Sequence, residues 1–244
     1  MKVVDTGVVF DAAEAPESKR FCSFSSTLVL SDGRILVAFR AGSSKDSPDE
    51  NIVIRMSADE GRSWETVFDG LDPVVEGVRG GWRSAALAEL EPGRLIGSWC
   101  WFDRSDPGRP LANPETQGTL PSRVFLMESE DDGRSWTDKR EVPTKPFEGV
   151  AITGRVLKLS NGDLAVPYEA WKSYYDTSPG HHHALLRISH DKGHSFAETY
   201  VVAHDPAGRI FYWDQRLAVE PGSGRLIGLL WTHDRRSQRD LNVH

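Results

Sequence analysis

The strongest constraint on the fold is an eight-residue pattern that occurs three times along the chain. The copies are SADEGRSW at 57–64, SEDDGRSW at 129–136 and SHDKGHSF at 189–196, and all follow Ser-X-Asp-X-Gly-X-Ser-aromatic. Each copy comes directly after a short apolar run that is typical of a β-strand. Repetition at intervals of several tens of residues indicates an array of similar supersecondary units. The sequence therefore predicts a repeat architecture built from strands.

The residue types in this pattern predict a particular turn. An Asp side chain can accept hydrogen bonds from backbone N–H groups of its own turn, and Gly readily adopts a positive φ. The final aromatic side chain is expected to fold back as an apolar plug. The residues with these roles are Asp59, Gly61 and Trp64; Asp131, Gly133 and Trp136; and Asp191, Gly193 and Phe196.

A second element lies between these repeated turns and consists of an apolar strand, a Gly turn and another apolar strand. It occurs four times, with its glycines at Gly33, Gly93, Gly162 and Gly224. The intervals between these glycines are 60, 69 and 62 residues, which leaves room for three or four strands. Such an interval matches a β-propeller blade, whereas a β-sandwich has no reason to repeat a turn in phase with a strand pair. We therefore predict an all-β propeller.

Turns of this sequence on a propeller are known as Asp boxes, and the chain resembles the BNR-repeat sialidase (neuraminidase) superfamily over nearly its whole length. The resemblance implies a sialidase-like β-propeller, which is six-bladed in that family. About four blades fit within the chain, and the fourth hairpin is not followed by an Asp box before His244. We therefore expect one propeller domain, 1–244, that is incomplete and truncated at its C-terminus, and that further chain or a partner completes.

The resemblance also implies catalytic residues. Sialidases of this family carry an Arg triad for the substrate carboxylate, a Tyr–Glu nucleophile pair and an Asp acid/base. Asp46, eleven residues before the first Asp box, is similar to the acid/base, and Arg40 resembles the Arg beside the sugar ring. Tyr168 and Glu169 are the candidate catalytic pair, because they follow the third Gly turn where Arg40 follows the first. An ordinary ion pair between Arg40 and Asp46 in a solvated loop is the structural alternative.

Two features depart from the family pattern. The first triad Arg is expected ten residues before Gly33, and Ser23 stands there. The family's catalytic Tyr belongs to the last blade, so the nucleophile is expected outside this chain.

Further ligand contacts are predicted near the starts of the inner strands, which line the funnel of a propeller. Arg83, Arg155 and Arg216 could converge there on one anion, since guanidinium groups bind carboxylates in a bidentate manner. Alternatively, each pairs with an acid of a neighbouring blade. Most aromatic residues at the hairpin ends are expected to pack between blades, and the ones expected to be exposed for stacking on a sugar are Trp171, Tyr174 and Trp213.

Charge and composition narrow the possible partners. The formal net charge is −7, which argues against sequence-independent nucleic-acid binding. The N-terminus has no apolar signal segment and no apolar run is long enough to span a membrane, so we expect a cytoplasmic protein without a membrane partner. The oligomeric state cannot be derived from the sequence.

No metal or other cofactor is expected. The adjacent residues His181, His182 and His183 would alternate between the two faces of a strand, so they cannot all bind one ion. Cys22 and Cys100 are too few for a disulfide framework, and we expect both to be buried free thiols.

Our leading hypothesis is a sialidase-like glycoside hydrolase that removes a terminal, acidic or neutral, sugar. Asp46, Glu169 and Tyr168 would be its catalytic candidates, and its substrate contacts would be Arg40, Arg83, Arg155, Arg216 and Trp213. A neutral Tyr nucleophile would avoid repulsion between a carboxylate nucleophile and an anionic sugar. The alternatives are a non-catalytic propeller that binds glycan or protein through its central face, and a chain that is inactive because it is incomplete.

Overall fold

A computed structural model of the chain describes residues 2–3 and 5–243. Within these residues the regular structure consists of 17 β-strands in four sheets, together with one short 3-10 turn at Glu17–Lys19. All neighbouring strands within the sheets are antiparallel, and each sheet forms one blade around a common axis. The predicted all-β fold with four blades is confirmed.

The first blade contains four strands in the order β1-β2-β3-β4 and the second contains five in the order β5-β6-β7-β8-β9. Their bounds are β1 (Phe21–Val29), β2 (Ile35–Gly42), β3 (Asn51–Ser57), β4 (Glu65–Asp69), β5 (Val74–Val75), β6 (Val78–Glu91), β7 (Arg94–Asp103), β8 (Ser122–Ser129) and β9 (Arg140–Val142).

The third blade has the order β10-β12-β13-β14, with β11 also paired to β12, and the fourth has the order β15-β16-β17. Their bounds are β10 (Gly149–Ala151), β11 (Leu157–Lys158), β12 (Leu164–Trp171), β13 (His182–Ser189), β14 (Glu198–His204), β15 (Ile210–Val219), β16 (Leu226–Asp234) and β17 (Arg239–Asp240).

The four Gly turns join the first long hairpin of every blade, as the sequence predicts. They connect β1 to β2, β6 to β7, β11 to β12 and β15 to β16. The glycines have φ values of 91°, 78°, 90° and 71°, a region that side-chain-bearing residues rarely adopt. The repeat found in the sequence therefore corresponds to one hairpin per blade.

The three repeated turns lie at the outer side of the blades, joining β3 to β4, β8 to β9 and β13 to β14. In the first turn, Asp59 Oδ1 accepts hydrogen bonds from the Ser57 hydroxyl and from the Ser63 N–H, each at 2.8 Å. The Ser63 hydroxyl also donates to Asp59 Oδ2 at 2.6 Å, and this bond, with those from the Ser63 N–H and the Ser57 hydroxyl, lowers the pKa of Asp59 to about 2. Asp131 and Asp191 make the same two Oδ1 bonds at the same distances.

Each repeated turn has two consecutive positive φ angles rather than the one expected at Gly. In the first turn they are 61° at Glu60 and 86° at Gly61. The residue before Gly therefore also adopts the left-handed conformation, and the hydrogen bonds that the Asp side chain accepts hold the turn closed.

Apolar side chains pack between neighbouring blades. Trp82 and Trp99 are fully buried between the first and second blades. Trp136, the aromatic residue of the second repeated turn, packs edge-on against Trp99 with 4.9 Å between ring centroids. The predicted apolar plug is therefore found, because Trp136 closes the outer end of this core.

Both cysteines are free, but only Cys100 is buried, and the expectation that Cys22 is buried is wrong. Cys22 lies on β1, whose residues before Leu28 are exposed or only half-buried. In the part of the chain that the structure describes, no helix is long and apolar enough to cross a membrane.

Candidate functional site

The inner strands are irregular at one end of the axis, and this irregularity builds the candidate site. β-Bulges interrupt β1 between Ser23 and Ser26, β6 between Trp82 and Ser84, and β15 between Trp213 and Arg216. In the third blade the inner strand is broken into β10 and β11. A bulge redirects the side chain that it displaces. The residues at these four irregularities are Phe24, Arg83, Thr153 and Asp214, and all of them line one cavity.

We call this cavity the mouth cavity, and its volume is about 410 Å³. All four blades contribute to it. Its lining consists of Phe24, Lys45, Arg83, Ser84, Ala151, Ile152, Thr153, Glu169, Trp171, Trp213, Asp214 and Trp231.

On the side of the first two blades, the sequence-predicted residues Arg40, Asp46 and Arg83 come together. Arg40 Nη1 lies 3.2 Å from Asp46 Oδ1, and Arg83 Nη1 lies 2.5 Å from the same oxygen. Arg40 also pairs with Glu50 at 2.8 Å, and the side chains of Arg40 and Glu50 are 1 % and 0 % exposed. Arg40 is therefore an interior residue held by two carboxylates, and it does not line the mouth cavity.

Ser23, which stands where the family pattern has an Arg, is a partner of this cluster. Its hydroxyl oxygen accepts hydrogen bonds from Arg40 Nε at 3.1 Å and from Arg40 Nη2 at 2.7 Å. Arg104 adds a third guanidinium group, 3.4 Å from Glu50 Oε1. The Phe24 ring covers the cluster, with the guanidinium carbons of Arg40 and Arg83 at 4.9 Å and 5.1 Å from its centroid.

Asp46 is an ionised partner in this arrangement. Burial alone would raise the pKa of Asp46, but the charges and hydrogen bonds of Arg83 and Arg40 outweigh burial and hold the pKa below its usual range. Asp46 therefore carries a negative charge at neutral pH, balanced by both arginines.

On the side of the third and fourth blades, Glu169 is buried with its carboxylate held by three groups. Its Oε1 accepts hydrogen bonds from the Thr153 hydroxyl at 2.8 Å and from the Gln215 N–H at 2.9 Å. Its Oε2 lies 3.3 Å from His182 Nε2. Thr153 lies in the break between β10 and β11, and Gln215 lies in the bulge of β15, so the two irregular segments fix Glu169 between them.

His182 is fully buried and contacts the Glu169 carboxylate through Nε2. Its ring packs edge-on against Trp171, with centroids 4.9 Å apart, and stacks on Phe211 at 5.3 Å. Its Nδ1 is buried without a hydrogen-bond partner among the described residues. The two aromatic rings therefore fix the orientation of the imidazole that faces Glu169.

Asp214 faces the mouth cavity from the bulge in β15, where its φ is 52°. Burial raises the pKa of Asp214, and the neighbouring charge of Glu169 raises it further; together they outweigh Arg216 and His182, which lower it. Within the described residues its carboxyl group has no hydrogen bond or ion pair. Asp214 is therefore held in a strained backbone conformation with its carboxyl group unengaged.

Other predicted residues lie elsewhere. Tyr168 does not face the mouth as expected, because it precedes Glu169 on β12 and consecutive strand residues point to opposite faces. Its side chain is buried in the core between the second and third blades. Tyr174 is also buried, whereas we expected it to be exposed; its edge packs against Tyr175, which is exposed instead.

Trp171 and Trp213 are half-buried and line the mouth cavity together with Trp231. Trp213 packs edge-on against Trp231, with centroids 5.2 Å apart. Three indole rings therefore line the cavity, together with Glu169 and Asp214.

Arg155 and Arg216 are brought together, but not at the mouth. They line an adjoining cavity of about 300 Å³, which shares Phe24, Ser84, Ile152 and Thr153 with the mouth cavity and has no carboxylate among its lining residues. Arg216 donates hydrogen bonds to the backbone carbonyls of Thr153 and Gln215. The expected convergence of Arg83, Arg155 and Arg216 on one anion is therefore absent, since Arg83 lines the mouth instead.

His181, His182 and His183 do alternate faces, as predicted. His182 contacts Glu169, whereas His183 stacks on His204 with centroids 3.8 Å apart. In residues 2–3 and 5–243, no group of three or more His, Cys, Asp or Glu side chains is arranged to hold a metal ion.

Sequence reasoning missed Asp214, His182 and Glu50. His182 could have been found from strand alternation, since it pairs in register with Trp171 on β12. Asp214 could not, because its position depends on a bulge that no residue pattern marks.

No model of a known protein family matches the sequence, and no curated protein is significantly similar to it. Solved structures do match. A Hadza microbial sialidase is 17% identical with a TM-score of 0.63, covering 90% of this chain and 43% of its own. A protein of unknown function from Dyadobacter fermentans is 19% identical with a TM-score of 0.66, covering 89% of this chain and 63% of its own.

The third example is an alpha-L-arabinanase from Penicillium chrysogenum complexed with arabinobiose. It is 17% identical with a TM-score of 0.54, and the match covers 85% of this chain and 60% of that protein. The chain therefore spans between about two fifths and two thirds of the length of these three structures. At such identities the likeness concerns the fold. By fold, this chain is a sialidase-like β-propeller.

Proposed function

We propose that this chain carries the sugar-binding site of a glycoside hydrolase, with a terminal sugar bound in the mouth cavity. The observation that supports this most is the pairing, in one cavity, of three indole rings with the Glu169 carboxylate. Indole faces provide large apolar surfaces on which a sugar ring can stack. Glycoside hydrolysis uses carboxyl groups, and Glu169 and Asp214 line the same cavity as the indole rings.

The matched structures support the same chemistry, since their names include a sialidase and an arabinanase. The catalytic carboxylate in our proposal is Glu169. The proposed role of Asp46 changes from proton donor to ionised group, because Arg40 and Arg83 lower its pKa. Arg40, Arg155 and Arg216 are not proposed as sugar contacts, because none of them lines the mouth cavity.

A panel of aryl glycosides of neutral and acidic sugars tests this proposal. We expect the chain to hydrolyse at least one of them, and we expect Glu169→Gln to lower kcat about 10²–10⁴-fold. Gln keeps the size of the side chain and can still accept from Thr153 and Gln215. Glu115→Gln is the matched control, because Glu115 is exposed and has no ion pair among the described residues. Equal activity of wild type and Glu169→Gln would contradict the proposal.

A non-catalytic glycan-binding propeller is the second candidate. It is favoured by the position of Tyr168, which lies in the core rather than in the mouth cavity. Binding of a sugar in the absence of any turnover across the panel would favour this alternative. Isothermal titration with the same sugars measures this binding. Thermal unfolding gives a second measurement, because a ligand that binds only the folded state raises Tm.

A further inference from the structure

We infer that Asp214 is the proton donor of this site, that Glu169 is its partner carboxylate, and that the sugar they act on is uncharged. This inference rests on the proposed function and identifies the substrate class and the second catalytic carboxyl group. Asp214 and Glu169 line the same cavity from neighbouring blades. They are also linked through the backbone, because the residue after Asp214 donates its N–H to Glu169 Oε1 at 2.9 Å.

The two carboxyl groups have different surroundings, and these suit different roles. Donors face Glu169 from Thr153, Gln215 and His182, which positions it as an acceptor. Asp214 has neither a hydrogen bond nor an ion pair in the described part of the chain, and it faces another carboxyl group. Burial and the charge of Glu169 raise the pKa of Asp214, which favours its protonated form. A pair of carboxyl groups with opposed environments is the usual basis of acid/base assignment in hydrolases.

The reaction then balances as follows. Asp214 transfers its proton to the glycosidic oxygen while the bond from C1 to that oxygen breaks, and the electron pair of the bond stays on the oxygen. A water oxygen forms the new bond to C1, and Glu169 accepts the proton that this water loses. The products are the free sugar and the free alcohol, and solvent returns the proton from Glu169 to Asp214. No oxidant, metal or further reactant is required.

The uncharged substrate follows from how the arginines are used. Arg83 is the arginine that lines the mouth cavity, and its Nη1 lies 2.5 Å from Asp46. Arg40 is 1 % exposed and engaged by Glu50, Asp46 and Ser23. A substrate carboxylate would have to compete with Asp46 for Arg83 while facing the Glu169 carboxylate.

Lys45 is the remaining cation of the lining and is exposed at the edge of the cavity. It is a single flexible ammonium group, and the other cation of the lining, Arg83, is already paired with Asp46. The indole rings of Trp171, Trp213 and Trp231, in contrast, offer contact area to a sugar of any charge. The charges that line the mouth cavity therefore favour a neutral sugar.

The test compares Asp214→Asn with Asp46→Asn on two leaving groups. With a neutral methyl glycoside, which needs a proton on its leaving oxygen, we expect Asp214→Asn to lower kcat about 10²–10⁴-fold. With the dinitrophenyl glycoside of the same sugar, whose leaving group needs no proton, we expect activity near that of wild type. Asp46→Asn should affect both glycosides alike. Thermal unfolding of each variant establishes that it is folded.

The outcomes separate the inference from the proposed function. If wild type hydrolyses the glycosides and Asp214→Asn loses both activities equally or neither, Asp214 is not the proton donor, while the proposed function stands. If wild type prefers a sialoside to every neutral glycoside, the inferred substrate class is wrong. If wild type hydrolyses none of them, both the proposed function and the inference fail.

Discussion

On the side of the mouth that the first two blades build, each carboxylate is paired with arginine. Asp46 lies against Arg40 and Arg83, and Glu50 lies against Arg40 and Arg104. On the side that the third and fourth blades build, Glu169 and Asp214 face the same cavity without an arginine ion pair in the described part of the chain. The four carboxyl groups are thus divided into two pairs with opposite surroundings.

This difference separates a structural half of the mouth from a chemical half. Paired charges of low exposure hold the first two blades in register, because removing one partner leaves the other buried and unpaired. Carboxyl groups without cationic partners keep their capacity to exchange protons with a ligand. The four predictions below change one half at a time, starting with the largest expected effect.

Arg40→Met removes the central cation of the structural half. We expect the free energy of unfolding to fall by about 3–5 kcal/mol, because Glu50 stays buried with weaker partners. Chemical denaturation at neutral pH measures this. Arg62→Met is the control, since Arg62 is exposed and pairs with exposed Glu60 at 3.2 Å, and its loss should change stability by less than about 1 kcal/mol. Equal effects of the two variants would contradict the division of the mouth.

Ser23→Ala removes the acceptor of Arg40 Nε and Nη2 without changing any charge. We expect a loss of about 1–3 kcal/mol, the cost of leaving buried donors unsatisfied. Ser25→Ala, two residues along the same strand and exposed, is the matched control. A neutral result for Ser23→Ala would mean that Arg40 finds another acceptor, and that the cluster is looser than its distances indicate.

Trp231→Ala tests the chemical half. Trp231 is 40% exposed and lines the cavity, so its removal should weaken binding of a neutral sugar by about 1 kcal/mol, or roughly fivefold in Kd, with little effect on stability. Isothermal titration measures the Kd. Tyr175→Ala removes an aromatic side chain that is 70% exposed and outside the cavity lining, and it should leave the Kd unchanged. A similar loss for both variants would indicate non-specific adhesion of the sugar.

Asp46→Asn and Asp214→Asn should change stability in opposite directions at pH 7. The folded pKa of Asp46 is lowered, so its charge stabilises the fold above the unfolded pKa, and this contribution is lost as the pH falls through the folded pKa. The folded pKa of Asp214 is raised, so the fold loses stability as the pH rises from the unfolded to the folded pKa.

Urea unfolding at pH 7 should therefore find Asp46→Asn less stable than wild type and Asp214→Asn more stable. Repeating the measurement below pH 4 should reduce both differences. Shifts of the same sign at pH 7 would remove the electrostatic basis of the comparison between the two halves.

The architecture could be predicted from the sequence because it depends on local signals. Gly33 and its three counterparts mark one hairpin per blade, and Asp59 and its counterparts mark the outer turns. The pairing of Arg40 with Asp46 could also be predicted, since Asp46 lies six positions after Arg40, in the loop that follows β2. These features depend on short stretches of chain whose residue types restrict the backbone.

The chemical half of the mouth was harder to predict. The prediction that Tyr168 and Glu169 both face the mouth is wrong, because the side chains of adjacent strand residues point to opposite faces. The bulge that redirects Asp214 depends on how β15 pairs with β16, a long-range contact without a residue signature. The same holds for Arg155 and Arg216, whose distance from the mouth along the axis is set by the packing of whole blades.

The repeated turns also bear on the order in which the chain folds. Their hydrogen bonds join residues two to four positions apart, as between Asp59 and Ser63, so they close without any distant contact. Contacts in the mouth join residues 37 and 46 positions apart, as in the pairs of Asp46 with Arg83 and of Glu169 with Gln215. Because local contacts cost less loop entropy, hairpins at the three turns should form early, in about 1–10 μs. The mouth is then assembled last, when the blades associate.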